Sequence, residues 1–169
     1  MIKILTGSRE FFPDGKDSDY LVIREQDEVF KHERIDGDCY FYYKPMTKLE
    51  YFTWLVEKNN WYLNTAPLVT KEWLNYHGID IFGEDRVFVH AMFEGLFDLV
   101  YRNTPVNHWN KYAYRLYTYT QYMANGKLEL TQQQLDTAYQ FKKRTMTNVT
   151  VAKNLYQFFS ADEEPSFTG

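Results

Sequence analysis

Two short segments near the amino terminus carry residues suited to binding a phosphate group together with a metal ion. Gly7-Ser8-Arg9 follows the β-prone residues 2–6, and a strand that ends in Gly-Ser offers free backbone N–H groups to an anion. The serine hydroxyl adds a hydrogen-bond donor, and the arginine adds a permanent positive charge suited to phosphate. A plain turn also explains this segment, so its chemistry depends on what the fold places beside it.

Two carboxylates supply the second half of this hypothesis. Asp19 lies ten residues after Arg9, and Asp17 precedes it by two residues. Residues i and i+2 of a strand point to one face, so the pair could hold a divalent cation such as Mg²⁺ against a nucleoside triphosphate. A capped turn before a strand is the alternative interpretation of Asp17-Ser18-Asp19.

The elements that must position these residues begin with four β-prone segments in the first 43 residues. The dipeptide Asp36-Gly37 between the third and fourth segments is a strong hairpin signal. The predicted strands are residues 2–6, 20–24, 29–35 and 39–43.

After Pro45 the hydrophobic period becomes helical. Thr47, Thr70 or Val69, and Thr131 are candidate helix starts, and Gly78 and Gly126 are candidate helix ends. The first helix is expected to bury Leu49, Phe52, Trp54, Leu55 and Val56, and the helix over 84–101 is expected to bury Val87, Val89, Met92, Leu96, Phe97 and Val100. Further helices are predicted over 108–124, over 132–143 and around Val151, Leu155, Phe158 and Phe159, before a flexible tail.

These elements predict an α+β fold with a small mixed or antiparallel sheet in residues 1–45. A helical part over 46–160 is expected to pack on the sheet as a single compact unit, and residues 161–169 are expected to be flexible.

Composition narrows the classes of function. With 32 aromatic residues and 44% hydrophobic residues the chain can bury a sizeable core. The net charge of -4 argues against strong non-specific nucleic-acid binding. Cys39 is the single cysteine, which excludes a disulfide framework and a cysteine-based zinc site. The absence of an apolar run of about 18 residues or of a signal-peptide core predicts a cytoplasmic protein with no membrane partner.

Gly7-Ser8-Arg9 together with Ser18-Asp19-Tyr20 resembles the start of the polymerase-β-like nucleotidyltransferases. The chain is most similar to the small predicted nucleotidyltransferases of bacteria and their phages, which carry G-S-R and then S-D-Y-D before a strand. Residues 111–116 and 125–130 are similar to that family's helical K-x-A-x-R-L segment and its G-x-L-x-L turn. The resemblance implies a nucleotidyltransferase that uses Mg²⁺ to move a nucleotidyl group from a triphosphate to a hydroxyl of an RNA or protein acceptor.

Two positions depart from the family pattern. Leu21 stands where the second Asp of the D-x-D pair is expected, and alignment places Tyr43 where a third carboxylate is expected at the end of a later strand. Neither side chain replaces an oxygen ligand of a hard cation. A shifted register would make Asp17 and Asp19 the pair, with Asp36 or Asp38 as the third group.

Lys111 and Arg115 lie four residues apart on one predicted helix face, where they could contact a triphosphate. A solvated helix face is the alternative.

The sequence is therefore compatible with two functions. The first is metal-dependent nucleotidyl transfer, with Asp17 and Asp19 holding the metal and with Gly7, Ser8 and Arg9 gripping the β- and γ-phosphates. The second is a catalytically degenerate member of the fold that binds a nucleotide, a nucleic-acid end or a protein.

Overall fold

The computed structural model describes residues 1–6, 11–12, 17–26, 31–58, 70–102 and 109–143. Its strands and helices confirm the predicted α+β class. The chain divides into two compact units, Met1–Ile79 and Asp80–Gly169. In their described parts, the first unit contains the sheet and two helices, and the second contains three helices.

The sheet of the first unit is mixed. Its four strands are β1 (Ile2–Thr6), β2 (Asp19–Ile23), β3 (Lys31–Ile35) and β4 (Asp38–Tyr43), in the spatial order β1-β2-β4-β3. β2 lies antiparallel to β1 and parallel to β4, and β3 pairs antiparallel with β4. The predicted third strand began two residues earlier, at Val29, which lies outside the described residues.

One face of the sheet forms the core of the first unit. Alternation along the paired strands places Ile4, Leu21, Ile23 and Tyr43 on this face, and each is at most 5% exposed. Thr6 lies on the same face, and its hydroxyl is 2.8 Å from the hydroxyl of Thr70. Val22 is 4% exposed on the opposite face, so β2 is covered on both faces, which explains its apolar character.

The hairpin between β3 and β4 turns at the predicted dipeptide. Asp36 and Gly37 have φ angles of 52° and 89°, the left-handed values that a type I′ turn requires at both central residues. Asn, Asp and Gly tolerate this region better than other residues, which is why the sequence signal was reliable here.

Helix α1 (Lys48–Lys58) begins at the predicted cap but buries a different face. The Thr47 backbone N–H donates to Glu50 Oε1, and the Glu50 N–H donates to Thr47 Oγ1, each over 3.1 Å, which is a capping box. The buried residues are Tyr51 and Leu55, four apart, whereas Leu49 is 75% and Val56 is 59% exposed. The prediction that Leu49 and Val56 face the core is therefore wrong, because the large ring of Tyr51 determines the buried face.

Helix α2 (Lys71–His77) closes an aromatic cluster in the first unit. Trp73 is fully buried and its indole N–H donates to the Tyr51 hydroxyl over 3.1 Å. His77 stacks on the Tyr51 ring at 4.5 Å, and Tyr43 lies 5.6 Å from Trp73. The helix ends at Gly78 in the left-handed conformation, as predicted.

The described part of the second unit consists of α3 (Arg86–Arg102), α4 (Trp109–Asn125) and α5 (Gln132–Lys142). Its buried hydrophobic residues are Ile81, Val89, Met92, Phe93, Leu96, Phe97, Ala113, Tyr114, Leu116, Tyr119, Tyr122, Ala138 and Phe141. Val87 is 80% exposed, so its predicted place in the core is wrong. It precedes Val89 by two residues, which is about 200° around the helix, and therefore lies on the face opposite the buried stripe.

A polar network joins α4 to α5. Thr131 caps α5 with a complete capping box to Gln134. The Gln134 side chain also exchanges hydrogen bonds with Asn125 over 2.8 and 3.1 Å and donates to Gln121 over 2.8 Å. Gly126, with φ 70°, ends α4 as predicted.

The predicted helix around Val151 and the predicted flexible tail lie outside the described residues. Within the described ranges, the structure contains no helix with the length and apolar character needed to cross a membrane.

Candidate functional site

The register of β1 and β2 brings Asp19 beside the end of β1. Thr6 is the Cα partner of Asp19 in this antiparallel pair. Because Gly7 follows Thr6 in the chain, the Gly7-Ser8-Arg9 segment begins one residue from that partner. Gly7, Ser8 and Arg9 themselves lie outside the described residues, so their predicted phosphate contacts stay a prediction.

The start of β4 lies at this same edge because β4 runs parallel to β2. Asp19 is in register with Cys39, whose backbone N–H donates to the Ser18 carbonyl over 2.9 Å. The Ser18 backbone N–H donates to Asp38 Oδ1, also over 2.9 Å. These two bonds fix the entry of β2 against β4 and hold Asp38 against Ser18, the residue between Asp17 and Asp19.

Cys39 is a neighbour of Asp19 that the sequence did not single out. The thiol is buried and forms a side-chain hydrogen bond with Asp19. Burial is the main cause that raises the pKa of the thiol, and the negative charge of Asp19 raises that pKa further. The thiol therefore stays protonated and donates to the carboxylate, so that it orients Asp19 and does not act as a thiolate ligand.

Asp17 lies in a more exposed position than Asp19. It precedes β2 by two residues, so the strand geometry expected to align it with Asp19 does not extend to it. Its Oδ2 is 4.0 Å from a guanidinium nitrogen of Arg34, and both side chains are more than half exposed. Asp17 also approaches the hairpin, since a Cβ at Gly37 would lie 3.5 Å from Asp17 Oδ1. An exposed pair of this kind contributes little to stability.

Leu21, where the resemblance led us to expect a second carboxylate, is part of the core. It lies on the same strand face as Asp19, is 2% exposed, and pairs in register with Ile4 and Phe41. An ionised carboxylate would lose its hydration at this position.

Tyr43 lies at the carboxyl end of β4, whereas Asp19 lies at the amino end of the neighbouring parallel strand β2. Tyr43 pairs with Ile23, is 2% exposed, and contacts Trp54 edge to face at 5.6 Å. Four residues of strand separate it from Cys39, which is about 13 Å at the usual strand rise. The alignment that gave Tyr43 the third carboxylate position therefore disagrees with the strand pairing. Parallel pairing of β2 and β4 could not be inferred from the sequence, and it makes Cys39 and Asp38 the neighbours of Asp19.

The described residues do not by themselves form a complete metal site. Among residues 1–6, 11–12, 17–26, 31–58, 70–102 and 109–143, no three His, Cys, Asp or Glu side chains are grouped closely enough to hold an ion. Mg²⁺ in proteins commonly keeps several waters and takes one or two carboxylates plus substrate phosphates. Asp19, at the start of β2, fits that incomplete role, and the part predicted for Asp17 stays a prediction.

Lys111 and Arg115, the two predicted triphosphate contacts in the helical part, belong to α4 of the second unit. Arg115 is half-buried, and its guanidinium carbon is 5.6 Å from the Tyr114 ring centroid. The Lys111 side chain lies outside the described part. Their contact with a nucleotide stays a prediction.

Comparison of the chain with protein-family models, with curated proteins and with solved structures finds no match in any of the three.

Proposed function

We propose that the chain binds a nucleoside triphosphate, as its Mg²⁺ complex, at the sheet edge where β1 ends and β2 and β4 begin. The observation that carries the proposal is the register of Thr6 with Asp19, because it sets a carboxylate next to the start of the Gly7-Ser8-Arg9 segment. Phosphate binding by backbone N–H groups and Arg9, and metal binding by Asp19, would then occur side by side.

Charge at this edge makes the cation necessary. Asp17, Asp19, Asp36 and Asp38 all lie in the entry to β2 or in the β3–β4 hairpin, and a triphosphate is itself strongly anionic. Like charges at short range repel, and a divalent ion between them reverses the sign of the interaction. The nucleotide and the cation should therefore bind together, and each should bind weakly alone.

Binding, more than transfer, is the activity that this edge supports. Nucleotidyl transfer depends on positioned metal ions that neutralise the developing charge. Leu21 replaces a carboxylate with a buried apolar side chain, and Cys39 carries a protonated thiol beside Asp19. One carboxylate on β2 can hold the ion that arrives with the nucleotide, and Mg²⁺ supplies charge neutralisation when it is bound there.

Isothermal titration calorimetry with ATP tests the proposal. In Mg²⁺ the wild type should bind ATP, and Asp19→Asn and Arg9→Ala should each weaken binding about tenfold or more, which corresponds to about 1.4 kcal/mol. Asp136→Asn is a matched control, because Asp136 is an exposed aspartate on α5 whose carboxylate accepts a hydrogen bond from Gln132. Unchanged affinity in both site variants would refute the site.

A second candidate, nucleotidyl transfer, is favoured by the hydrogen bond from Ser18 to Asp38. That bond fixes Asp38, a possible third group in the shifted register, against Ser18, the residue between Asp17 and Asp19. Incubation with α-phosphate-labelled nucleoside triphosphates, Mn²⁺ or Mg²⁺, and RNA or protein acceptors tests it. Label transfer by the wild type that is lost in Asp19→Asn and in Asp38→Asn would establish the enzyme. If the wild type binds ATP but transfers no label, binding remains the function.

A further inference from the structure

The sheet face opposite the core carries a group of tyrosines and basic side chains. Alternation along the paired strands places Tyr20, Tyr40 and Tyr42 on this face together with Lys3 and Arg24. We call these five residues the aromatic face. The candidate nucleotide site does not use any of them, because Asp19 and Cys39 project from the other side of the sheet.

Two of the rings form a stacked pair. Tyr20 and Tyr40 are register partners on the parallel strands β2 and β4, and their centroids are 5.2 Å apart with an interplanar angle of 23°. Both rings are half-buried. The Lys3 ammonium is 4.2 Å from the Tyr20 centroid and 5.4 Å from the Tyr40 centroid, so that one cation lies over the pair.

The rest of the face repeats this combination. The guanidinium carbon of Arg24 is 4.3 Å from the centroid of Tyr42, which is buried. Lys31, in register with Tyr42, is exposed and lies 3.5 Å from Glu33, an acidic residue that shares this face on β3. Lys3 and Arg24 therefore bring positive charge to the rings in a chain whose net charge is -4. The charge of Lys31, in contrast, is paired with Glu33, which also accepts a hydrogen bond from the Tyr42 hydroxyl over 3.3 Å.

We infer that the aromatic face binds single-stranded nucleic acid. Aromatic side chains on a sheet provide a surface on which successive bases stack, and nearby cations contact the phosphates. The local positive charge matches a polyanion in a protein that is otherwise acidic. A duplex keeps its base faces inside its own stack, so that only an unpaired strand can use the rings.

Lys3 has a specific part in this binding. Its ammonium occupies the position over Tyr20 and Tyr40 that a base would take, and its side chain is exposed. An incoming strand exchanges this exposed cation–π contact for a base stack, and the released ammonium pairs with the adjacent phosphate.

This inference goes beyond the proposed nucleotide binding and does not depend on it. Fluorescence anisotropy with a labelled single-stranded RNA of about 12 nucleotides and mixed sequence tests it, since single-strand sites span about 4–16 nucleotides. Tyr20→Ala and Tyr40→Ala should each weaken binding by about fivefold to a hundredfold, and Tyr20→Phe should retain affinity because it keeps the ring. Binding of the wild type should fall steeply as salt is raised.

Tyr139→Ala is the matched control, because Tyr139 also lies under a lysine ammonium, that of Lys143 at 5.2 Å, but belongs to α5 of the second unit. It should leave affinity unchanged. Thermal melting of each variant separates lost binding from lost folding, and the phenylalanine variant gives a second measurement if an alanine variant unfolds. Equal affinity for a duplex of the same sequence, or affinity that is insensitive to both rings, would overturn the inference. Titration with ATP on the same variants distinguishes this result from failure of the nucleotide site.

Discussion

Replacing Leu21 with aspartate, which would give a D-x-D pattern with Asp19, should destabilise the protein and should not create an active enzyme. Leu21 is 2% exposed and pairs in register with Ile4, itself 5% exposed. Removing a buried leucine side chain costs about 2–5 kcal/mol. A carboxylate left without a partner in such surroundings adds several kcal/mol more. Domains have total stabilities of about 5–15 kcal/mol, so Leu21→Asp should lie at or beyond the threshold of unfolding.

Urea denaturation followed by tryptophan fluorescence measures this loss, because Trp54 and Trp73 lie in the same unit as Leu21. Leu21→Asn is the matched control, because asparagine has nearly the same shape as aspartate but carries no charge. Burial raises the pKa of the introduced carboxyl group, so the folded state binds its proton more tightly than the unfolded state does. The deficit relative to Leu21→Asn should therefore be smallest below about pH 4 and should grow as the pH rises through the folded pKa.

A stable Leu21→Asp protein would refute the reasoning. If its denaturation midpoint matched that of the wild type and rose on addition of Mg²⁺ or Mn²⁺, position 21 would face a hydrated metal site. Metal-dependent label transfer by this variant would likewise contradict the expectation that restoring the carboxylate creates no active enzyme.

Three further changes test separate parts of the structure. Thr131→Ala breaks the capping box with Gln134 and should lower the free energy of unfolding by about 1 kcal/mol in urea titrations, and an unchanged value would contradict the cap. His77 is buried against aromatic rings, and burial lowers its pKa from 6.5 to about 4, so the unfolded chain takes up its proton first. The wild type should therefore lose up to about 3 kcal/mol of stability between pH 6.5 and 4, and His77→Phe should not show this loss; parallel pH curves for the two proteins would refute it. Asp19→Asn should lower the pKa of Cys39, because the carboxylate raises it in the wild type. A titration of thiolate ultraviolet absorbance measures this, and an unshifted midpoint would show that the two side chains are not adjacent.

Local signals predicted the elements well because they have local causes. The turn at Asp36-Gly37 depends on backbone conformation, and the helix starts at Thr47 and Thr131 depend on side-chain caps within three residues. Thr70 also precedes its helix as predicted, but its side chain makes no cap.

The buried face of each helix was less predictable, because it depends on residues that are distant in the sequence. Leu49 and Val56 are as apolar as Leu55, yet only Leu55 is buried. The choice is made by Tyr51 and its contacts with Trp73 and His77, which come from a separate helix. A hydrophobic pattern alone does not reveal which of two overlapping stripes meets such a cluster.

Residues of the candidate site could be predicted from the sequence, but their spatial neighbours could not, because those also depend on residues that are distant in the sequence. Asp17 and Asp19 could be chosen from residue type and spacing, and the resemblance carried by Gly7-Ser8-Arg9 depends on sequence alone. The neighbours of Asp19 follow from the parallel pairing of β2 with β4, which depends on strands that are separated in sequence. Cys39 was therefore missed as the residue that orients Asp19, and Tyr43, which the alignment placed at a carboxylate position, lies at the other end of the paired strands from Asp19.

The dependence of ATP affinity on Mg²⁺ tests the central claim most directly. The dissociation constant should be measured by calorimetry in EDTA and in Mg²⁺ at matched ionic strength, together with a titration of Mg²⁺ alone. Because the acidic edge repels a bare triphosphate and lacks a complete metal site among its described residues, ATP with Mg²⁺ should bind, whereas either component alone should bind weakly or not at all. Equal ATP affinity in EDTA and in Mg²⁺, or no ATP binding under either condition, would contradict the account.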